Sequence, residues 1–309
     1  MKMILKTKNF FLLIISLFLI NCSSTNDKAF NKKIVCAHIS AYGRSGSRST
    51  WPGYDYLMQG ETGFMYLTGE PDGPPSRMGL SIVDWTTGIT NMLGLVSSIL
   101  SAKQTGLGRD IDVSLFDTAM FNQSYVAAWA LNSDYQPERL DRSAHPVLVP
   151  CQLYKTADGW IYLMCNKESF WPTLCDYIDR KDLGIDKRFS NFKLRQENRD
   201  LITDILDKEL SKKSTSEWLE IFAGNVPAAP ILDIKSSLEN EFVKERNNIQ
   251  KIITKNNKKL SLLKTPIRFD TENHVDKTAP ELGEHNEEIL NKLGYSNEDI
   301  KLLKNKDIV

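Results

Sequence analysis

The sequence has no excess of charge: 39 Lys and Arg balance 39 Asp and Glu. A neutral chain offers no electrostatic ground for a nucleic-acid partner or an acidic surface, and no basic stretch interleaved with aromatics supplies one locally. Histidine is scarce, with four in the chain. The five cysteines (Cys22, Cys36, Cys151, Cys165 and Cys175) form no CxxC pair, and no histidine stands at zinc-ligand spacing. Those absences argue against a metal site. They also argue against a disulfide framework. Cys36, Cys165 and Cys175 lie in apolar surroundings and read as buried thiols, the usage of a reducing compartment. Internal repeats are absent too. The apolar run Phe10–Ile20, broken by Ser16, falls short of the about 20 residues that a spanning helix needs.

That run suits a targeting segment instead. Lys2, Lys6 and Lys8 form a basic start, Phe10–Ile20 an apolar centre, and Leu-Ile-Asn-Cys at 19–22 resembles a lipoprotein cleavage box with Cys22 as the lipidated residue. Asn21 stands where a small residue is usual. The other reading is an uncleaved hydrophobic N-terminus. Residues 1–27 are therefore set apart as leader and linker. The leader points to a membrane-anchored lipoprotein, while the cysteine usage of the body points to the cytoplasm.

The body has 41% hydrophobic and 25% charged residues, enough for packed globular cores. Residues 28–150 read as a large α/β domain. Ile34–Ser40 is a strand, followed by a Gly/Ser-rich loop at 41–50 and a helical stretch at 54–68. Thr68–Gly79 is dense in Gly and Pro and forms turns. Asp84 opens a long helix ahead of Ile89, Met92, Leu93, Val96, Ile99 and Leu100, which Gly106 and Gly108 end. A strand over 111–115 and a helix over 118–131 complete a helix–strand–helix order that predicts a parallel sheet. Residues 151–235 read as a smaller α+β lobe. It opens with a hairpin around Ala157-Asp158-Gly159 and carries helices near 169–179, 195–212 and 216–224. Residues 236–309 return to the large domain. There the Lys/Asn-rich stretch 244–260 reads as a solvated face, Leu262–Phe269 as an edge strand, and Ser296 with Asp299 as a capping box.

Asp117 is the leading site candidate. It sits where the strand pattern of Ile111, Val113 and Leu115 gives way to helical spacing. A carboxylate there serves either as a helix N-cap or as a nucleophile kept ionised by the helix terminus. Arg44, Arg48 and Arg77, in Gly/Pro-rich loops, are either solvated surface arginines or partners for phosphate or carboxylate. Asp84 reads as an N-cap rather than an acid. His145 reads either as a loop histidine before Pro146 or as a substrate contact.

Four stretches, in order between Ile34 and Val309, resemble the class III CoA-transferases, a family that includes formyl-CoA transferase and carnitine CoA-transferase. They are HISAYGRSGSRSTWPGYDYLMQGETG, TGEPDGPPSRMGLSIVDWTTG, GLGRDIDVSLFDTAM, and TPIRFD with APELGEHNEEILNKLGYS. The resemblance implies that Asp117, not Asp112, is the nucleophile. It would form a mixed anhydride with the acyl group of an acyl-CoA donor and then an aspartyl-CoA thioester. A carboxylic acid acceptor would finally take the coenzyme A. The implied cofactor is coenzyme A, as the acyl-CoA substrate, with no metal; the implied partner is a second copy in a homodimer. Coenzyme A chemistry also implies a cytoplasmic location.

The chain departs from the family pattern at two points. The loop ERLDRSAHPVLVP lacks the consecutive glycines that help stabilise the family's oxyanion. In the family a nucleotide-binding-like half precedes the strand that IVCAHIS resembles; here the leader stands in its place, so the expectation is an incomplete parallel sheet and an N-terminal half encoded separately. Two other readings stay open. An acyl-CoA racemase of the same fold would need a histidine upstream of Asp117, and His38 is the one available. The last is a non-catalytic, membrane-tethered remnant.

Overall fold

The computed structural model describes residues 31–270 and 278–309; the leader and Cys22 lie outside them. The chain divides into two compact units that meet in sequence at Pro230 and Ile231.

The first unit opens with β1 (Cys36–Ser40), α1 (Asp55–Glu61), α2 (Phe64–Leu67), α3 (Ile82–Thr105), β2 (Asp110–Ser114), α4 (Leu115–Asn122) and α5 (Ser124–Asn132). β1 and β2 run parallel, in register from Cys36 against Asp110 to Ser40 against Ser114. The mixed α/β class expected from the strand and helix order is therefore present. Gly108 is needed at the start of this pairing. Its N–H donates to the Lys32 carbonyl at 2.7 Å, and a Cβ there would lie 1.6 Å from the Ile34 carbonyl oxygen.

Helix α3 differs from its sequence reading in two ways. It begins at Ile82 rather than at Asp84. Its N-terminal N–H groups are capped from outside the helix: buried Asp55 on α1 accepts from Val83 at 2.7 Å and Asp84 at 3.0 Å. Asp84 is thus a first-turn residue, not the cap. The helix also turns its small and polar side inward. Val83, Thr87, Ser98 and Ala102 are buried, while Trp85, Ile89, Met92, Leu93, Val96, Ile99 and Leu100 are exposed. Gly106, at φ +76°, closes the helix as expected.

The helix expected over 118–131 is two helices, α4 and α5, parted where Ser124 adopts φ +50°. A left-handed conformation at a residue with a Cβ costs on the order of 1–3 kcal/mol, so the surrounding packing must hold it.

The rest of the unit comprises β3 (Cys151–Lys155), β4 (Trp160–Met164), α6 (Phe170–Tyr177), α7 (Lys181–Gly184), α8 (Phe192–Glu197), α9 (Arg199–Leu210), α10 (Thr215–Phe222) and β5 (Ala228–Pro230). The three strands form an antiparallel sheet in the order β3–β4–β5. The expected hairpin is β3–β4. The third strand carries little signal, because Ala-Ala-Pro has no strand pattern. Tyr154, Ile161, Leu163, Trp171, Leu174, Phe189, Leu206 and Phe222 belong to one buried cluster. The hairpin turn is tied to α10, where Asp158 accepts from the Thr215 N–H at 2.8 Å.

The second unit contains α11 (Ile234–Glu239), α12 (Glu241–Glu245), the antiparallel hairpin β6 (Ile249–Ile253) and β7 (Lys259–Leu263), α13 (Asn286–Lys292) and α14 (Asn297–Lys304). The strand read at 262–269 is displaced: β7 ends at Leu263, before Pro266. The Lys/Asn-rich stretch read as a solvated face forms β6 and the hairpin turn, and Ile252 within it is buried. Ser296 and Asp299 form the expected capping box.

Candidate functional site

Parallel strands end on the same side, and ligands of α/β sheets gather beyond those carboxyl ends. Here the register sets Ser40 beside Ser114. The Gly/Ser-rich loop after β1 and the start of α4 after β2 therefore leave from one edge. Two hydrogen bonds fasten them together and a third braces the loop on β1. Phe116 donates its N–H to the Ala41 carbonyl at 3.0 Å. The Arg44 N–H donates to the Asp112 carboxylate at 3.0 Å, and the Gly43 N–H to the Ser40 hydroxyl at 2.9 Å. Gly43, at φ +91°, turns the loop back over the edge.

Asp117 lies in the first turn of α4 at this edge. The capping role that was its alternative reading belongs to Ser114. The Ser114 hydroxyl accepts the Asp117 N–H at 3.0 Å and donates to Asp117 Oδ2 at 2.6 Å. Among the described residues Asp117 Oδ1 accepts no hydrogen bond. Asp117 is exposed, and Phe121, one turn further along α4, is 85% exposed.

The three candidate arginines stand in different settings. Arg44 is pinned through its backbone at the carboxyl edge. Arg48 is paired with Glu61 and lies over the rings of Trp51 at 4.9 Å and Tyr42 at 5.3 Å. The Tyr42 hydroxyl donates to Glu61 at 2.8 Å, and the bonds from Arg48 and then Tyr42 hold the Glu61 carboxyl below its ordinary range. Arg77 lies 4.4 Å from the Tyr56 ring centroid and donates to the carbonyls of Met78 and Gly79, each at 3.2 Å. Cys22, the candidate lipidation residue, lies outside the described residues.

Neither histidine candidate meets Asp117 in a pair. His38 stands across from Asp112 in the β1–β2 register, and its Nε2 is buried without a hydrogen-bond partner among the described residues. His145 is half-buried, and its Nδ1 accepts the N–H groups of Val147 at 3.1 Å and Leu148 at 3.0 Å. Burial, and then the Arg199 charge, hold its pKa below the ordinary histidine value.

Two cavities open on the first unit. One, of about 290 Å³, lies between α2 and α5, with Thr62, Tyr66, Gln123, Ala127 and Glu138 in its wall. The other, of about 470 Å³, is lined by Leu140, Pro146, Gln196, Arg199 and Asp200. Asp117 lines neither. Among the described residues no group of three or more His, Cys, Asp or Glu is placed to hold a metal, and no helix is long and apolar enough to cross a membrane.

Sequence reasoning passed over Ser114, Asp55 and Glu61. The Ser-x-x-Asp spacing at 114–117 could have disclosed the first as a cap. Asp55 and Glu61 act over long sequence separations and leave no local trace.

Comparison with known proteins gives the family of the chain. The family model described as CoA-transferase family III matches residues 21–286. An acetyl-CoA:oxalate CoA-transferase of Acetobacter aceti is 33% identical over 207 residues, covering 66% of this chain and 53% of that protein. A succinate–glutarate CoA-transferase of Agrobacterium fabrum is 29% identical over 273 residues, covering 86% of this chain and 67% of that one. The chain thus spans between about half and two thirds of the length of these two relatives. Among solved structures, a CAIB/BAIF family protein from Brucella suis matches with TM-score 0.70 at 30% identity, over 86% of this chain and 69% of that one. A hypothetical protein from Mycobacterium tuberculosis shares the fold, with TM-score 0.76 at 23% identity over 88% of this chain and 72% of that one. The chain belongs to CoA-transferase family III.

Proposed function

We propose that this chain moves coenzyme A between carboxylic acids, with Asp117 as the nucleophile. One observation carries the reading: the β1–β2 register brings a glycine-turned loop and a first-turn carboxylate to the same carboxyl edge, with Asp117 Oδ2 held by Ser114. Asp117 Oδ1 attacks the thioester carbonyl of the donor and expels the coenzyme A thiolate, leaving a mixed anhydride. The thiolate attacks Asp117 Cγ and releases the donor acid, leaving an aspartyl-CoA thioester. The acceptor carboxylate attacks the same carbon and expels the thiolate, which then captures the acceptor's acyl group and frees Asp117.

The names of the relatives favour a dicarboxylate as acceptor. Arg44, Arg48 and Arg77 are the candidates for a phosphate or carboxylate contact, and the Arg44 backbone is anchored to Asp112 on the strand that leads to Asp117. Coenzyme A chemistry supports a cytoplasmic location for the protein.

An exposed carboxylate must be shielded from water for this chemistry. A second copy of the chain is proposed to supply cover, in a homodimer that also buries the apolar side of α3.

The test is chemical trapping. After incubation with succinyl-CoA and then hydroxylamine, peptide mass spectrometry is expected to find a hydroxamate at Asp117. Asp117→Asn is expected to abolish both the adduct and the exchange of coenzyme A between succinate and glutarate. An unmodified Asp117 in the parent protein overturns the reading.

A further inference from the structure

We infer that Ser114 is the hydrogen-bond donor that stabilises the oxyanion formed on Asp117 itself when the coenzyme A thiolate attacks. The inference rests on the CoA-transfer reading and names a residue that reading leaves unassigned.

The geometry fixes the direction of the Ser114 proton. Its oxygen accepts the Asp117 N–H at 3.0 Å, so its own O–H is turned to Asp117 Oδ2 at 2.6 Å. That is a short, charge-assisted bond. The Ser114 side chain has little freedom to leave it. The residue is 2% exposed, and its carbonyl accepts the Thr118 hydroxyl at 2.8 Å.

In the anhydride, Oδ1 bridges to the donor acyl group and Oδ2 is the carbonyl oxygen of the aspartyl side. The thiolate sulfur forms a bond to Cγ, and the π pair moves onto Oδ2. The Ser114 O–H already points at the atom that takes this charge, which is the requirement for preorganised stabilisation. When the pair returns, the Cγ–Oδ1 bond breaks and the donor acid departs as carboxylate. No proton is gained or lost, because Ser114 donates a hydrogen bond and keeps its proton. The same hydroxyl serves again when the acceptor carboxylate attacks Cγ of the thioester. A glycine loop is therefore not needed for this oxyanion.

Helix capping and oxyanion donation can be separated by substitution. Gly and Thr are about equal as N-caps, and replacing Ser by Gly costs only a few tenths of a kcal/mol. Thr keeps the hydroxyl and Gly lacks it. Ser114→Gly and Ser114→Thr would be compared with the parent protein for melting temperature, for kcat and KM with succinyl-CoA and glutarate, and for the rate at which the aspartyl-CoA thioester appears in a rapid-quench trap.

Removing one oxyanion donor is expected to lower kcat and thioester formation by about 10²-fold in Ser114→Gly. KM for succinyl-CoA should stay within about twofold, since ground-state binding is untouched. Ser114→Thr should remain close to the parent in both.

Equal rates in all three proteins overturn the inference. So does an equal loss in both variants accompanied by lower melting temperatures, which would make Ser114 a cap alone. A parent protein that forms no adduct would instead remove the CoA-transfer reading beneath it.

Discussion

Asp55 caps a helix that starts 27 residues after it: Oδ2 of this buried side chain accepts the N–H groups of Val83 and Asp84, and Oδ1 accepts from Gln59 at 2.6 Å. Two backbone donors at the start of α3 therefore depend on one carboxylate from α1. Asp55→Ala leaves both without a partner in the interior and is expected to destabilise the protein by about 2–3 kcal/mol. Asp55→Asn keeps an acceptor oxygen and should lose about half as much. Urea unfolding of the two variants checks the order. Equal midpoints for Asp55→Ala and the parent would refute the capping role.

Arg195 presents a similar dependence beside the buried cluster of Trp171 and Phe189. It is 1% exposed, and its guanidinium donates to the carbonyls of Val149 at 2.8 Å and Phe189 at 2.9 Å and to Glu168 at 2.5 Å. Three donors in a fixed planar fork answer three separate acceptors, which an ammonium group cannot match. Arg195→Met fills the space but strands both carbonyls, and a loss of about 3 kcal/mol is expected. Arg195→Lys should fall nearer to Met than to the parent. A lysine variant as stable as the parent, measured by denaturant unfolding, would show that the fork geometry is unimportant.

The elements legible in the sequence are those specified within a few residues. The β3–β4 hairpin follows from alternation around Ala157-Asp158-Gly159, the end of α3 from Gly106, and the capping box from Ser296 and Asp299. At the site, the strand-to-helix corner bearing Asp117 was legible for the same reason. What escaped depends on residues far apart in the chain: the Asp55 cap, the Glu61 that engages Arg48, and the displacement of the last strand from Pro266 to β7. Local spacing also failed at α3. Helical periodicity shows that the large apolar residues share a side, but not whether that side meets this chain's own sheet or another surface.

His145 gives the fold a calculable pH response. Its Nδ1 accepts two backbone N–H groups, so the proton of the neutral ring is on Nε2, and burial with the Arg199 charge lowers its folded pKa. Between the folded and unfolded values the unfolded chain binds the extra proton, so stability rises with pH across that interval. Stability is therefore expected to fall as pH drops through the unfolded histidine value of about 6.5, and this contribution levels off below the folded pKa. His145→Asn retains an acceptor without a titrating ring and should flatten this part of the profile. Melting temperatures from pH 8 to pH 5 for both proteins provide the check; parallel profiles would mean that His145 contributes nothing.

The exposed side of α3 is the clearest sign of a partner. Trp85, Ile89, Met92, Val96 and Ile99 follow the spacing of a coiled-coil seam. Asp84 stands near the N-terminal end of this strip and Lys103 near its C-terminal end. Two copies laid antiparallel about a two-fold axis would set seam against seam and bring each Asp84 towards the partner's Lys103. A contiguous apolar strip of this length is unusual on a free surface. The full chain is accordingly expected to sediment as a dimer. Val96→Glu, which places a charge within such a seam, should shift it to monomer without unfolding the buried cluster that holds Trp171 and Trp218, as an unchanged circular dichroism spectrum would show. Because the same dimer is proposed to shield Asp117, the dissociated variant should also lose aspartyl adduct formation. Monomeric parent protein, or a dimer indifferent to Val96→Glu, would show that this side of α3 is covered by something other than a second copy.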